Sequence, residues 1–184
     1  MQKIIELNNF EISNDSPLTI ISGPCQLESV DHSLMIAEKL METCHKFGAN
    51  FIFKGSFDKA NRTSMSGKRG LGIEEGLQVM QEVKLKLGCA TITDVHTAEQ
   101  CSKTAEVVDI LQVPAFLCRQ TDLLLAAAKT EAILNIKNGL DQKISGDLLS
   151  VDINEALMHL GEITGEITTE DLLGNVFANF CIGK

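Results

Sequence analysis

Two spacings of apolar residues alternate along the first 137 residues of this chain. Short runs rich in β-branched and aromatic residues, such as Phe51 to Phe53, are typical of buried strands. Between them lie longer stretches in which apolar residues recur every three or four positions, as Leu34, Ala37 and Met41 do, and this spacing predicts helices that face a core. The pattern predicts a hairpin over 1–12, strands over 18–22, 50–54, 90–94, 107–112 and 132–137, and helices over 31–46, 73–87, 97–106 and 122–129.

Repeated strand-helix units predict an α/β fold in which a parallel sheet carries helices on its outside. Polar residues gather where the predicted strands end: the segment 22–25, Lys54, Asp94 with His96, and Arg119 with Gln120. In β/α barrels the loops after the strands carry the functional site. The placement of these residues therefore favours a barrel with a site at the carboxyl ends of its strands.

The alternation stops after Gly139. Apolar residues of 148–160 lie on one helical stripe, and Thr168-Thr-Glu-Asp171 resembles a capping box that opens a second helix. The charge also changes, from a net −3 over residues 1–130 to a net −6 over residues 131–184. We therefore predict two regions, a barrel-type domain over 1–137 and a short all-α segment over 138–184.

Composition narrows the class of protein. The net charge of −9 argues against general nucleic-acid binding, which needs a basic face. No run approaches the ~20 apolar residues of a membrane span, and the first residues lack a signal-peptide core. The six cysteines show no CxxC spacing, which favours reduced thiols over a disulfide framework. We expect a soluble cytoplasmic protein.

One loop concentrates positive charge. Five basic residues and a single acid, Asp58, lie between Lys54 and Arg69, directly after a predicted strand. In an acidic protein this local excess favours a phosphate or carboxylate ligand, while the alternative is an ordinary solvated loop. The glycines at 67, 70 and 72 do not form a GxGxxG motif, so loop flexibility explains them better and no nucleotide is expected.

Four segments occur together and in order: Ile21-Ser-Gly-Pro-Cys-Gln-Leu-Glu-Ser29, the basic stretch 54–64, Thr93-Asp-Val-His96 and Pro114-Ala-Phe-Leu-Cys-Arg-Gln-Thr-Asp122. In this combination the chain closely resembles the 3-deoxy-D-manno-octulosonate 8-phosphate synthases. That resemblance implies a TIM-barrel enzyme of lipopolysaccharide sugar biosynthesis, which condenses phosphoenolpyruvate with arabinose 5-phosphate and releases phosphate. It runs over about 1–137, the first half of that family's chain, and so implies a partial barrel of four to five βα units.

The resemblance also implies roles for individual residues. Lys54 and Lys137 would contact phosphoenolpyruvate, and Asn61 and Arg62 would lie near the sugar phosphate. Charge-assisted hydrogen bonds to phosphate oxygens are the physical reason for Lys and Arg at such positions. The catalytic residues would be Lys54, Lys59 and Asp94, and the substrate-binding residues would be Lys54, Lys59, Asn61, Arg62, Arg119, Gln120 and Lys137.

Three residues near predicted strands carry further expectations. Asp94 and His96 are either groups of the catalytic face or an N-cap for the next helix. At Glu131 the synthase family has Gly, so a backbone that needs positive φ there would be strained by Glu.

Cys25 bears on the question of a metal. Synthases with Cys at this position bind a divalent metal, whereas a Cys after Gly-Pro is on its own more often a small core residue. The other ligands of that family, His, Glu and Asp, lie in the half that this chain does not match. One thiolate does not make a metal site, so we do not expect this chain to hold the metal.

The final segment is similar to a different family. Gly161-Glu-Ile-Thr-Gly-Glu166 and the closing Phe180-Cys-Ile-Gly-Lys184 resemble the C-terminus of the tRNA uridine-modifying GTPase. The resemblance starts between Thr130 and Gly139, and Cys181 would correspond to a family position near the modification site. We interpret the chain as a fusion of two fragments.

A barrel closes only when all its strands are present, so half a barrel leaves open edges that favour self-association. Three hypotheses follow: a synthase-type enzyme formed by paired half-barrels, an interaction module carried by the helical tail, or a non-functional rearrangement product. We expect little or no synthase activity from the chain alone.

Overall fold

The computed structural model describes residues 4–7, 9–59 and 69–137, all within one unit that spans Met1–Asn138. The strands and helices alternate as the apolar pattern predicted. The strands are β1 (Ile5–Leu7), β2 (Phe10–Ile12), β3 (Thr19–Ser22), β4 (Asn50–Lys54), β5 (Ala90–Asp94), β6 (Ile110–Val113) and β7 (Ile133–Ile136). The helices are α1 (Val30–Lys46), α2 (Gly72–Leu87), α3 (Ala98–Ala105) and α4 (Thr121–Ala128), with a single 3-10 turn at Ala115–Leu117.

Strands β3 to β7 form one parallel sheet whose spatial order is the order of the chain. Each helical crossover therefore adds the next strand on the same side, as in a barrel, whereas a doubly wound sheet reverses its strand order at a switch point. The sheet curls into a half-barrel. The predicted α/β class with a parallel sheet is confirmed, in the form of five parallel strands and four helices among the described residues.

Residues on the outer face of the sheet pack against the helices. Phe51 and Phe53 of β4 and Leu111 and Val113 of β6 are buried in one cluster with Met80 of α2. The same cluster includes residues of α1, α3 and α4. Alternate residues of β4 and β6 thus supply the main core, because successive side chains in a strand point to opposite faces.

The inner face carries a second, smaller cluster. Ile52, Ala90, Ile92 and Ile110 are buried there, with Ile133 of β7 packed beside them. The residues that cover this cluster come from the antiparallel hairpin β1–β2, namely Leu7, Phe10 and Ile12. The predicted hairpin is confirmed, and it lies over the inner, apolar face of the sheet near the amino ends of its strands.

Helix boundaries have local causes. Ser29 caps α1 by accepting a hydrogen bond from the His32 N–H, and α2 ends at Gly88 in the left-handed conformation, as the sequence predicted.

Strand β6 begins at Ile110, later than the predicted start at residue 107. The N–H groups of Val107 and Val108 both donate to the Thr104 carbonyl and so continue the end of α3.

Several predictions lie outside the described residues. These are the helical segment 138–184 with its two helices, Cys181, and the loop residues Asn61 and Arg62. Within the described part, no helix has the length and apolarity needed to cross a membrane. The five cysteines described there are free thiols.

Glu131 has a φ of 60°, the only positive value among the described residues other than glycine. The resemblance to the synthases implies Gly at this position, and the left-handed backbone there favours Gly over a residue with a Cβ. The turn between α4 and β7 is therefore strained.

We predict that Glu131→Gly raises the free energy of unfolding by about 0.5–1 kcal/mol, because the left-handed backbone no longer clashes with a Cβ. Urea denaturation followed by circular dichroism measures the change. Glu131→Gln is the matched control: it removes the charge but keeps the strain, and we expect no gain. Equal stabilisation by both variants would show that charge, and not backbone conformation, is responsible.

Candidate anion-binding site at the carboxyl ends of the strands

Lys54 is the last residue of β4 and lies on the inner face, two residues beyond the buried Ile52. Its ammonium group is 2.9 Å from Oδ2 of Asp94, the last residue of β5. The side chains are 22% and 14% exposed, so water screens this pair less than it would a pair on the surface. The structure thus brings together two of the three predicted catalytic residues.

Gln112 of β6, which is not among the residues predicted for the site, also contacts Asp94. Its side-chain Nε2 donates to Oδ1 of Asp94, and the residue is only 3% exposed. Asp94 and Gln112 are register partners in neighbouring parallel strands. The available signal was strand alternation, which places Gln112 on the same face as Ile110, although a lone Gln in an apolar strand is also an ordinary satisfied core residue.

A close approach of two backbones holds the first loop against Lys54. A Cβ built on Gly23 would lie 1.9 Å from the carbonyl oxygen of Lys54, so a side chain does not fit at Gly23. The loop that follows β3 therefore lies directly beside the end of β4. Cys25 in this loop is exposed and is not a core residue.

The described residues do not fit a metal at Cys25. Over 4–7, 9–59 and 69–137, no three His, Cys, Asp or Glu side chains come together in a group that could hold an ion. A single exposed cysteine lacks the several ligands that a zinc or iron site requires. We derive no chemistry from a metal at this position.

The basic loop after β4 is closed at its base. The carboxylate of Asp58 accepts two hydrogen bonds from the Arg69 guanidinium, at 2.9 and 2.5 Å, and the Lys59 N–H donates to the Arg69 carbonyl. The hydrogen bond and the charge of Asp58 raise the pKa of Arg69. This bidentate pair holds Lys59 and Arg69 side by side where the two ends of the loop meet.

These two ion pairs lower the net positive charge of the basic loop below the value counted from the sequence. Counted along the chain, the loop has only one acid, but Asp94 from the next strand neutralises Lys54 and Asp58 neutralises Arg69. The net positive charge that an anion would meet is therefore smaller than the count along the chain indicates. Within the described residues, no ion pair is found for Lys59, Arg119 or Lys137.

The other predicted site residues also follow strands. Arg119 and Gln120 are exposed in the turn before α4, and Lys137 is exposed directly after β7, where its N–H donates to the Val113 carbonyl. Among the described residues, no side-chain hydrogen bond or ion pair joins these three to Lys54 or Asp94. The roles of these residues, and those of Asn61 and Arg62, stay predictions.

The alternative role of Asp94 or His96 as an N-cap is wrong. The N-cap of α3 is Thr97, and the N–H groups of His96 and Thr97 both donate to the side-chain oxygen of Gln100. The His96 ring lies edge-on to Phe57, at 6.3 Å between ring centroids. Asp94 is left to interact with Lys54 and Gln112.

The buried cysteines are poor nucleophiles. Burial raises the pKa of Cys44, Cys89 and Cys101, so these residues stay protonated thiols. A cavity of about 250 Å³ lies near Cys89, between the hairpin and the first residues of β4 and β5. It is at the opposite end of the strands from Lys54.

We predict that Lys54 and Asp94 are coupled by about 1–2 kcal/mol in stability, because the pair is shielded from water. A double-mutant cycle of Lys54→Met, Asp94→Asn and both together, measured by urea denaturation, gives this coupling.

The matched control is the cycle for Lys39 and Glu42, an ion pair 3.4 Å apart whose side chains are 80% and 69% exposed. We expect less than about 0.5 kcal/mol there. Additive effects at Lys54 and Asp94 would contradict the proposed shielding.

Comparison with known proteins adds the family. A sequence profile of the DAHP synthetase I family matches residues 2–172. Proteins of Rickettsia felis and Rickettsia canadensis named 2-dehydro-3-deoxyphosphooctonate aldolase are each 58% identical to this chain over 139 residues. The alignment covers 76% of this chain and 51% of each relative, so the chain spans about half the length of the curated relatives it matches. Because the profile matches most of its length, the chain belongs to the DAHP synthetase I family.

Proposed function

We propose that this chain carries the phosphoenolpyruvate-binding part of a 3-deoxy-D-manno-octulosonate 8-phosphate synthase. The observation that supports the proposal best is the inward-facing Lys54 ammonium, fixed by Asp94 at the carboxyl end of a parallel strand. The 58% identity to proteins named 2-dehydro-3-deoxyphosphooctonate aldolase supports the same chemistry. The substrates would be phosphoenolpyruvate and arabinose 5-phosphate, both of which are anions.

In this reaction C3 of phosphoenolpyruvate bonds to the aldehyde carbon of the sugar, water adds at C2, and inorganic phosphate leaves. Lys54 would donate hydrogen bonds to the carboxylate or phosphate of phosphoenolpyruvate and stabilise negative charge there. Asp94 would hold that ammonium in one place, which contributes to rate through orientation. Lys59, Asn61, Arg62, Arg119, Gln120 and Lys137 would bind the remaining anionic groups.

The chain by itself would bind phosphoenolpyruvate without completing the reaction. It spans about half of its relatives, and its described sheet has five parallel strands, fewer than the eight of a closed β/α barrel. A site built from the ends of several strands is then only partly assembled. We propose retained binding and lost turnover.

We also propose that residues 138–184 derive from the C-terminus of a tRNA uridine-modifying GTPase. The alignment with the Rickettsia relatives covers 139 residues, which supports a change of origin near residue 138, whereas the family profile runs on to residue 172. Sequencing the DNA that flanks this region distinguishes a fusion of two genes from a single family sequence that continues past residue 138. The remainder of the GTPase gene beside this region would support a fusion, and a continuing barrel sequence in another frame would contradict it.

We predict that the purified 184-residue chain binds phosphoenolpyruvate in calorimetry and that Lys54→Met weakens the affinity about 10–100-fold. This is the range expected for one charge-assisted hydrogen bond. The control is Lys39→Met, which removes an exposed lysine from α1 and should leave the affinity unchanged. Equal weakening by both variants would mean that net charge alone attracts the ligand.

The same preparation, mixed with phosphoenolpyruvate, arabinose 5-phosphate and a divalent metal, should release no more phosphate than the Lys54→Met variant does. Phosphate release that depends on Lys54 would show that the chain is a working enzyme and would contradict the proposed loss of turnover.

A further inference from the structure

We propose that Gln112 is a positioning residue that fixes the Asp94 carboxylate and, through it, the ammonium of Lys54. The three side chains come from three neighbouring strands, β4, β5 and β6. Asp94 lies between two donors: Lys54 binds its Oδ2 and Gln112 binds its Oδ1. The geometric claim stands without the proposed function, while its consequence for ligand binding rests on it.

A single contact would not fix the lysine. Lysine has a flexible four-carbon stem with a rotatable ammonium, and the carboxylate of an Asp rotates about a broad torsion. The second hydrogen bond, from Gln112, removes this freedom because it engages the oxygen that Lys54 does not use. The hydrogen bond from Gln112 thus fixes the plane of the Asp94 carboxylate. The orientation of that plane in turn fixes the direction in which Asp94 holds the Lys54 ammonium.

The properties of Gln112 suit this role. At 3% exposure its amide has little access to water, so leaving Nε2 without an acceptor would cost free energy and the bond to Asp94 is favoured. The amide is neutral, so it supplies a donor without changing the balance of one positive and one negative charge. A Glu would repel Asp94, and a Lys would compete with Lys54 for it.

The backbone makes the arrangement rigid. Asp94 and Gln112 are paired in register, and the Val95 N–H donates to the Gln112 carbonyl at 2.9 Å directly beyond that pair. Ile92 and Ile110, two residues earlier on the same strands, are buried beneath. The backbone of Gln112 is therefore fixed by strand pairing and packing. Only the side-chain torsions of Gln112 are left to be fixed by the hydrogen bond to Asp94.

The test uses NMR of lysine ammonium groups in the 184-residue chain. A lysine ammonium that is held in an ion pair exchanges its protons slowly and gives a ¹⁵N signal, so we expect signals from Lys54 and from Lys84, which is paired with Asp109 at 2.8 Å. Gln112→Met keeps the length of the side chain and removes the donor. We expect it to abolish the Lys54 signal and to leave the Lys84 signal, which reports that the fold is intact.

Calorimetry with phosphoenolpyruvate gives the second measurement. Gln112→Met should weaken affinity about tenfold, the order of one hydrogen bond to a charged group. The control is Gln78→Met, the same chemical change at an exposed position of α2, which should alter neither the affinity nor the Lys54 signal. An unchanged Lys54 signal and an unchanged affinity in Gln112→Met would overturn the proposal.

Two further outcomes keep the proposals separable. If the wild-type chain does not bind phosphoenolpyruvate but Gln112→Met still abolishes the Lys54 signal, positioning is supported and the proposed function fails. If Gln112→Met loses the Lys84 signal as well, that variant is unfolded, and the Asp94→Asn variant is used to test the contact between Gln112 and Asp94. That variant should shift the side-chain amide resonances of Gln112, and unshifted resonances would overturn the proposal.

Discussion

The structure depends on one constraint: in each of the five parallel strands, successive side chains point to opposite faces of the sheet, and the pairing between strands is fixed. Because neighbouring strands are parallel and adjacent in sequence, every second residue meets the helices and the others meet the inner face. Phe51 and Phe53 thus join the main core, while Ile52 and Lys54 of the same strand face inward. A shift of one residue in β4 would bury Lys54 among the helices and remove the ion pair with Asp94.

Local signals in the sequence were sufficient where the cause of a structural element is itself local. The bounds of β4 follow from a run of apolar residues and those of β5 from its β-branched residues, and the end of α2 follows from Gly88. The start of β6 was wrong because Val107 and Val108, which suit a strand, are held by the Thr104 carbonyl at the end of α3. Propensity is a weak prior, and a hydrogen bond at a helix end overrides it.

The site was predicted only in part, since its partners are distant along the chain. The basic loop was visible as a cluster of charges, but its neutralisation was not: Asp94 lies 40 residues from Lys54. Gln112 gave no signal of its own, because one polar residue in an apolar strand has no meaning until the register places it beside Asp94. Charges counted along a chain overestimate the local field whenever the fold brings in an acid from another strand.

The hairpin β1–β2 has a consequence for the electrostatics of this row of polar side chains. Leu7, Phe10 and Ile12 form an apolar floor with Ile52, Ile92 and Ile110, one step toward the amino ends from Lys54, Asp94 and Gln112. Water therefore solvates that row from the side of the carboxyl ends and not from beneath. An anion that arrives there removes water from the row on one side only, because the floor has already excluded it from the other. The floor also lowers the surrounding dielectric, which strengthens any charged contact that forms.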